Sequence, residues 1–516
     1  MCSVQEYAVL RSTTSKGGEV NLANIAERHP DESIALISRG KQTSYGALRR
    51  QVSGLRTGLT QHGVAPGDRV AIICGNNRYF VVSYLAVLGI GAIAVPLNPN
   101  SPMAELISEL NSVEATAVVI GPTARPTFDR LEVSETPSVQ LVVGCGFVPD
   151  EKGVQLEDLI ASEPSPIVER EDSDVAVLMF TSGTAGSPKA AMLTHGNLRS
   201  NIAQILSSSG NSHTAEDVIF GVLPLFHIFG LNVVLGVGLA VGAQVLLIER
   251  FDPISALEAI DIHGVTIVTG PPTMWTAWAG MPEIPPGSLN SVRVAISGAA
   301  RLNDETAKTI ERRYGVTLRE GYGLTEASPV VTTSVGTEAP FGSIGTPVPG
   351  LEIRLVDTDG DDVPIGDSGE LWVRGPNVFA GYWRDADASA SAVNEDGWLM
   401  TGDIATVDDA GHLFLVDRVK DLIIVSGFNV YPAEVEDVLM NHPAVDACAV
   451  VGVPHPYSGE AVKAYVVSVK GESVEEDDII RFCSTKLARY KCPEKIWFVD
   501  EVPQGMGGKV LRRALR

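Results

Sequence analysis

"DVAVLMFTSGTAGSPK", Asp174 to Lys189, joins an apolar, β-branched run to a loop of hydroxyls, glycines and one lysine. The run reads as a buried strand, and a small hydroxyl-bearing loop at its end is a place for an anion. A strand that delivers such a loop belongs in an α/β sheet, and the flanking sequence has the same grammar. "RVAIICGNN" (69–77) precedes the helical pattern "RYFVVSYLAVLGIGA" (78–92), and "AQVLLIE" (243–249), "PISALEAIDIHG" (253–264) and "VTIVTG" (265–270) repeat the alternation. Strand, helix, strand predicts parallel, doubly wound sheets covered by helices. From about Val348 the pattern shifts to short strands with turn signals, "LEIRLVDTDGDDVPIGDSGELWVRG" (351–375), which predicts a small β-barrel or meander. After "VDRVKDLIIVSG" (416–427) an α+β unit begins, so the chain divides into a large domain over 1–419 and a smaller one over 420–516.

With 516 residues the chain exceeds one ordinary core. A formal charge of −24 opposes a nucleic-acid partner or an anionic membrane surface. The six cysteines form no CxxC spacing, which fits neither a zinc knuckle nor a disulfide framework and suits a reducing cytoplasm. "FGLNVVLGVGLAVGAQVLLI" (229–248) nears membrane length but carries glycines, Asn232 and Gln244; it reads as a buried helix followed by a buried strand. The first twenty residues lack the pattern of a secretory signal. The expectation is a cytoplasmic protein without an integral membrane segment, with peripheral membrane contact and dimerisation left open.

The loop is not a Walker A loop. Gly183 and Gly186 stand two residues too close for that pattern, Pro188 precedes Lys189, and Ala190 follows it. What remains is an anion nest with hydroxyls from Thr181, Ser182 and Thr184 and a charge from Lys189. A second loop, "EGYGLTEASP" (320–329), brings Tyr322, Thr325 and Glu326 together. An aromatic ring for a base, a hydroxyl for a phosphate and a carboxylate for a hard cation suit a magnesium nucleotide.

Together with "TGD" (401–403), "DRVKD" (417–421) and "GGKVLRR" (507–513), these motifs resemble the adenylate-forming superfamily in its own order over nearly the whole chain. That superfamily spans acyl-CoA synthetases, luciferases and peptide-synthetase adenylation domains. "LPLFHIFGL" (223–231) and "GSIGTPVPG" (342–350) read most like the fatty-acyl-CoA synthetase branch. The resemblance implies ATP-dependent, Mg2+-assisted conversion of a medium- or long-chain fatty acid to an acyl-adenylate, then transfer to coenzyme A.

It also implies roles. Thr181, Ser182, Gly183, Thr184 and Lys189 would hold the β and γ phosphates, Thr325 the α-phosphate, and Glu326 the Mg2+. Gly298, Ala299 and Ala300, with Tyr322 and Gly323, would border the adenine. Asp403, whose carboxylate matches a vicinal diol, would take the ribose, and Arg418 would face the nucleotide. His227 would border the acyl pocket, with walls from Phe229, Gly230, Leu231 and the segment "GPPTMW" (270–275). The absence of charge there suits an alkyl or aryl tail. Lys420 would be the hinge, Lys509 the adenylation lysine, and Ser426, Gly427 and Phe428 would adjoin the thiol channel. Ala185 and Ala190 depart from the family's usual threonine and glycine but stay small.

Competing readings are an aryl-acid (coumarate-like) CoA ligase, an acyl-AMP ligase, a luciferase-like enzyme and a non-catalytic nucleotide binder. The uninterrupted "DRVKDLIIVSG" favours thioester formation over stopping at the adenylate, and the retained Glu326, Asp403 and Lys509 favour catalysis.

Overall fold

The computed structural model describes residues 20–130, 133–149, 153–181, 188–208, 210, 213–418, 421–425, 428–456, 458–471, 474–503 and 510–515. The expected alternation forms two large sheets. In the first, strands Arg69–Ile73, Ile93–Pro96, Ala117–Ile120, Leu141–Gly144, Val154–Gln155 and Val175–Thr181 run parallel, and Lys189–Thr194 closes one side antiparallel to Val175–Thr181. In the second, six parallel strands from Ile34–Ser38 to Leu318–Gly323 are flanked by antiparallel strands at both ends.

Local sequence explains the breaks. Helix Arg78–Ile90 starts where Asn77 accepts the amides of Tyr79 and Phe80, and it stops at Gly91, whose φ of 79° few other residues tolerate. The run 229–248 resolves as expected into helical turns over Phe229–Val241 and the strand Gln244–Leu247. Among the described residues no helix is long and apolar enough to cross a membrane.

The expected barrel is corrected in part. Glu352–Val356, Gly369–Arg374, Leu399–Val407 and Leu413–Arg418 form a four-stranded antiparallel meander in sequence order, and no pairing of its outer strands closes it among the described residues. Four strands are too few to curl round until the first pairs with the last. The C-terminal domain is a separate sheet, with Val445–His455 and Gly459–Ser468 as its long hairpin and helices Pro432–Met440 and Glu476–Ser484 packed against it.

Candidate active site

The opening stretch folds as a hairpin. Thr181 and Lys189 are cross-strand partners at its mouth, and Ser182, Gly183, Thr184 and Ala185 lie outside the described residues. The outgoing strand is pinned at its far end. Thr194 accepts the amide of Asn197 and Asn197 accepts the amide of Thr194, a reciprocal cap that starts helix His195–Ser207. The Asn197 side-chain amide reaches the carbonyls of Pro376 and Val378. The segment after them then lies along the hairpin, with hydrogen bonds from Ala380 N to Met192 O, Met192 N to Gly381 O and Trp383 N to Ala190 O.

That segment brings in Tyr382. Its hydroxyl donates to Glu326 Oε1 at 2.7 Å, and its ring lies under the Lys189 ammonium, 5.2 Å from Nζ to the ring centre. Lys189 also pairs with Asp385 at 3.4 Å. Burial, then the Glu326 carboxylate, drive the Tyr382 phenol far above its usual range, so it remains a neutral donor. Asp385 caps the next helix by accepting the amide of Ala388.

Glu326 and Thr325 sit on a single 3-10 turn, Thr325–Ala327. Three fully buried amides grip this turn from below. Asn377 donates to Ala327 O at 2.8 Å, Asn232 to Ser328 O at 2.7 Å and Asn201 to Val330 O at 2.8 Å, with Val330 N returning a bond to Asn201 at 3.0 Å. Gly323 must be glycine, because a Cβ there would stand 2.2 Å from the Pro329 carbonyl oxygen. At the end of strand Leu318–Gly323, just before that turn, the Tyr322 hydroxyl donates to Asp403 Oδ2 at 2.6 Å, the short length of a bond to a carboxylate. Asp403 is buried on strand Leu399–Val407 and pairs across it with Arg418, whose side chain is outside the described set.

Beyond strand Val294–Ser297, Ala299 takes φ 72°, a strained value for a residue with a Cβ. Strain of this kind gathers at binding sites. Its neighbour Gly298 faces Phe229, and a Cβ there would stand 2.7 Å from the ring. The following loop is held by buried Glu320, which accepts the amide of Leu302. Ala300 is half-buried in that loop. His227 is solvent-accessible yet crowded by protein, as a side chain on a concave wall is; desolvation holds its pKa below the usual value.

The candidate pocket walls divide by burial. Gly230, Leu231, Met274 and Trp275 are buried in the core, and Met274 packs so tightly on Gly270 that a Cβ there would meet its methyl at 2.1 Å. Of the candidates, His227, Phe229, Pro271, Pro272 and Thr273 reach solvent. Apolar runs mark core and pocket alike, so sequence alone could not separate them.

Lys420, Ser426, Gly427 and Lys509 lie outside the described residues. Phe428 is exposed and stacks on Tyr490 with ring centres 4.8 Å apart. Near the joint, Arg512 is half-enclosed by three carboxylates from two segments: Glu436 at 2.6 Å, and Asp421 at 3.4 Å with Asp417 at 3.9 Å. Among the described residues no cluster of three or more His, Cys, Asp or Glu could cage a metal ion. A single carboxylate such as Glu326 suits a cation that brings further ligands with it, as Mg2+ does with waters and phosphate oxygens.

Sequence reasoning missed Tyr382, Asp385, Glu320 and the three asparagines. Glu320 stood inside a quoted motif; "GYW" at 381–383 offered a signal only as an aromatic pair after a glycine.

Comparison with known proteins shows the family. The family model described as AMP-binding enzyme matches residues 22–383, and that described as AMP-binding enzyme C-terminal domain matches 434–509. The chain is similar to a feruloyl-CoA synthase from Amycolatopsis sp, 37% identical over 95% of this chain and 96% of the relative. It is similar to a long-chain-fatty-acid–CoA ligase from Bacillus subtilis, 32% identical over 96% and 93%. Among solved structures it resembles ATP-bound MatB from Rhodopseudomonas palustris, with TM-score 0.88, 32% identity and coverage of 96% and 98%. The apo form of the same protein gives 0.77 at equal coverage.

Proposed function

Because the chain belongs to the AMP-binding enzyme family, we propose that it is an AMP-forming acid–thiol ligase using ATP, Mg2+ and coenzyme A. A carboxylate oxygen attacks the α-phosphorus of ATP, and the bond to pyrophosphate breaks. The coenzyme A sulfur then attacks the acyl carbon, and AMP leaves. The observation that carries this reading is the linkage of Lys189, Tyr382 and Glu326 beside the Tyr322–Asp403 pair, which sets a cation, a metal-suited carboxylate and a diol-suited carboxylate around one loop.

In this reading Lys189, Thr181 and the loop after it, with Ser182, Gly183 and Thr184, take the terminal phosphates. Thr325 takes the α-phosphate, Glu326 the Mg2+, Asp403 the ribose, and Arg418 the nucleotide. Tyr322, Gly323 and the Gly298–Ala300 turn border the base. When bound, Mg2+ offsets charge on the phosphate oxygens. His227 marks the approach of the acid, Lys509 neutralises the attacking carboxylate and the α-phosphate, and Ser426, Gly427 and Phe428 adjoin the thiol's path. Residues 1–419 form the nucleotide- and acyl-binding domain and 420–516 the mobile one, hinged at Lys420.

The acid is uncharged beyond its carboxylate. The long-chain relative supports a medium- or long-chain fatty acid. The core packing of Leu231, Met274 and Trp275 supports a flat aryl acid instead, because a long chain would have to displace them. A series of acids decides between them. A fatty-acid pocket raises kcat/KM about fourfold per added methylene until it is full, since each buried methylene contributes about 0.8 kcal/mol. An aryl pocket gives a flat alkyl series and a cinnamate-type acid well above it. Absence of acid-dependent pyrophosphate release with every acid overturns the ligase reading.

A further inference from the structure

We propose that Tyr382 is a positioning residue that sets the metal carboxylate Glu326 and the phosphate-loop lysine Lys189 in one arrangement; the inference rests on the roles of Glu326 and Lys189 given above. A glutamate's last torsion is broad, so a carboxylate at the tip of a turn is not oriented by its backbone alone. Here the 2.7 Å bond from the Tyr382 hydroxyl fixes one oxygen and with it the carboxylate plane. The same ring offers its face to Lys189.

Tyr382 is itself held on every side. Its amide donates to Ser389 Oγ at 2.8 Å, its backbone bridges to Ala191 in the hairpin strand, and its ring meets Phe379 edge-on at 4.9 Å. Phe379 N in turn donates to Glu326 O at 2.8 Å, so the segment grips both ends of Glu326. The carboxylate comes from the turn Thr325–Ala327 and the ammonium from the hairpin strand Lys189–Thr194, and this one side chain meets both.

The test separates the hydroxyl from the ring. ATP is titrated calorimetrically into the full chain with saturating Mg2+ and again with EDTA, and the ratio of the two affinities is the metal's share. In Tyr382→Phe the ratio should fall about tenfold, the worth of a hydrogen bond to a charged group, while metal-free affinity stays within about twofold. In Tyr382→Leu the metal-free affinity should fall as well, by about two- to fivefold, as Lys189 loses its platform. A misfolded chain loses both arms together, so an equal fall in both marks Tyr382 as merely structural and overturns the proposal. An unchanged ratio in Tyr382→Phe overturns it too. Glu326→Gln isolates the premise: if that variant keeps the parent ratio, the reading of Glu326 fails, whereas a lowered ratio there beside a normal one in Tyr382→Phe sinks only the tyrosine's role. With both right, Tyr382→Phe in the Glu326→Gln chain changes the ratio no further.

Discussion

In its proposed role, Lys189 would have to leave a partner to meet a phosphate. Asp385 holds it at 3.4 Å with both side chains partly exposed, an ion pair whose net worth is about 1 kcal/mol or less. Asp385→Asn keeps a good helix cap and removes the competing charge. ATP should then bind up to about threefold tighter by calorimetry, within that same range. Weaker binding would show that Asp385 helps to place Lys189 rather than compete for it. At this scale the sequence was informative where chemistry and spacing coincided. Thr325, Glu326, Tyr322 and Asp403 could be singled out because polar groups that suit a nucleotide stand in short glycine-bearing motifs. Tyr382 was not, since its partners are 56 residues upstream for Glu326 and farther still for Lys189, and nothing local marks an aromatic side chain as polar in use.

The turn that carries Thr325 and Glu326 depends on elements far from it in sequence. Asn201 lies on helix His195–Ser207, Asn232 on the helical turns at Phe229–Gly236, and Asn377 before the Tyr382 segment. Asn201→Ala leaves the amide and carbonyl of Val330 without the bonds Asn201 gives them, at a cost of about 2 kcal/mol for buried groups. A lowered urea midpoint together with slower pyrophosphate release checks this; a loss of stability with unchanged turnover would show that the turn needs no such support. The same helix begins with His195, fully buried, which accepts the amide of Leu22 and whose pKa burial pushes down to about 4. Between pH 6.5 and 4 the unfolded chain therefore takes up a proton that the folded chain refuses. Stability should be full above 6.5 and fall on acidification, by about 2 kcal/mol for this group at pH 5. His195→Gln should flatten that slope in urea titrations at pH 7 and 5, and an unchanged slope would remove His195 as its source. Strands and helices were readable from periodicity; the barrel was over-read because turn spacing gives the number of strands but not whether the last pairs with the first.

Across the whole molecule, the two domains meet in polar contacts. Arg301 pairs with Asp437 at 2.6 Å, and Ala433 N donates to Asp417 at 2.8 Å. Lys509 lies three residues before Arg512, whose carboxylate cage spans the joint. If Lys509 serves adenylation alone, Lys509→Ala should cut acid-dependent pyrophosphate release about 10²- to 10³-fold, the usual loss for one preorganised charge-stabilising donor. Conversion of synthetic acyl-adenylate and coenzyme A to thioester should stay near the parent rate. Equal losses in both steps would refute a division of labour between two domain positions.

The contact between residues 380–383 and the hairpin strand has a bearing on solubility. Without it, Lys189–Thr194 would be the outermost strand of its sheet and would present bare amides and carbonyls along the apolar sequence "AAML". Such an edge invites pairing with another chain. The segment that supplies Tyr382 to the site is thus also the guard of that edge. Substitutions that loosen it should appear first as association between molecules, before any loss of the fold is seen.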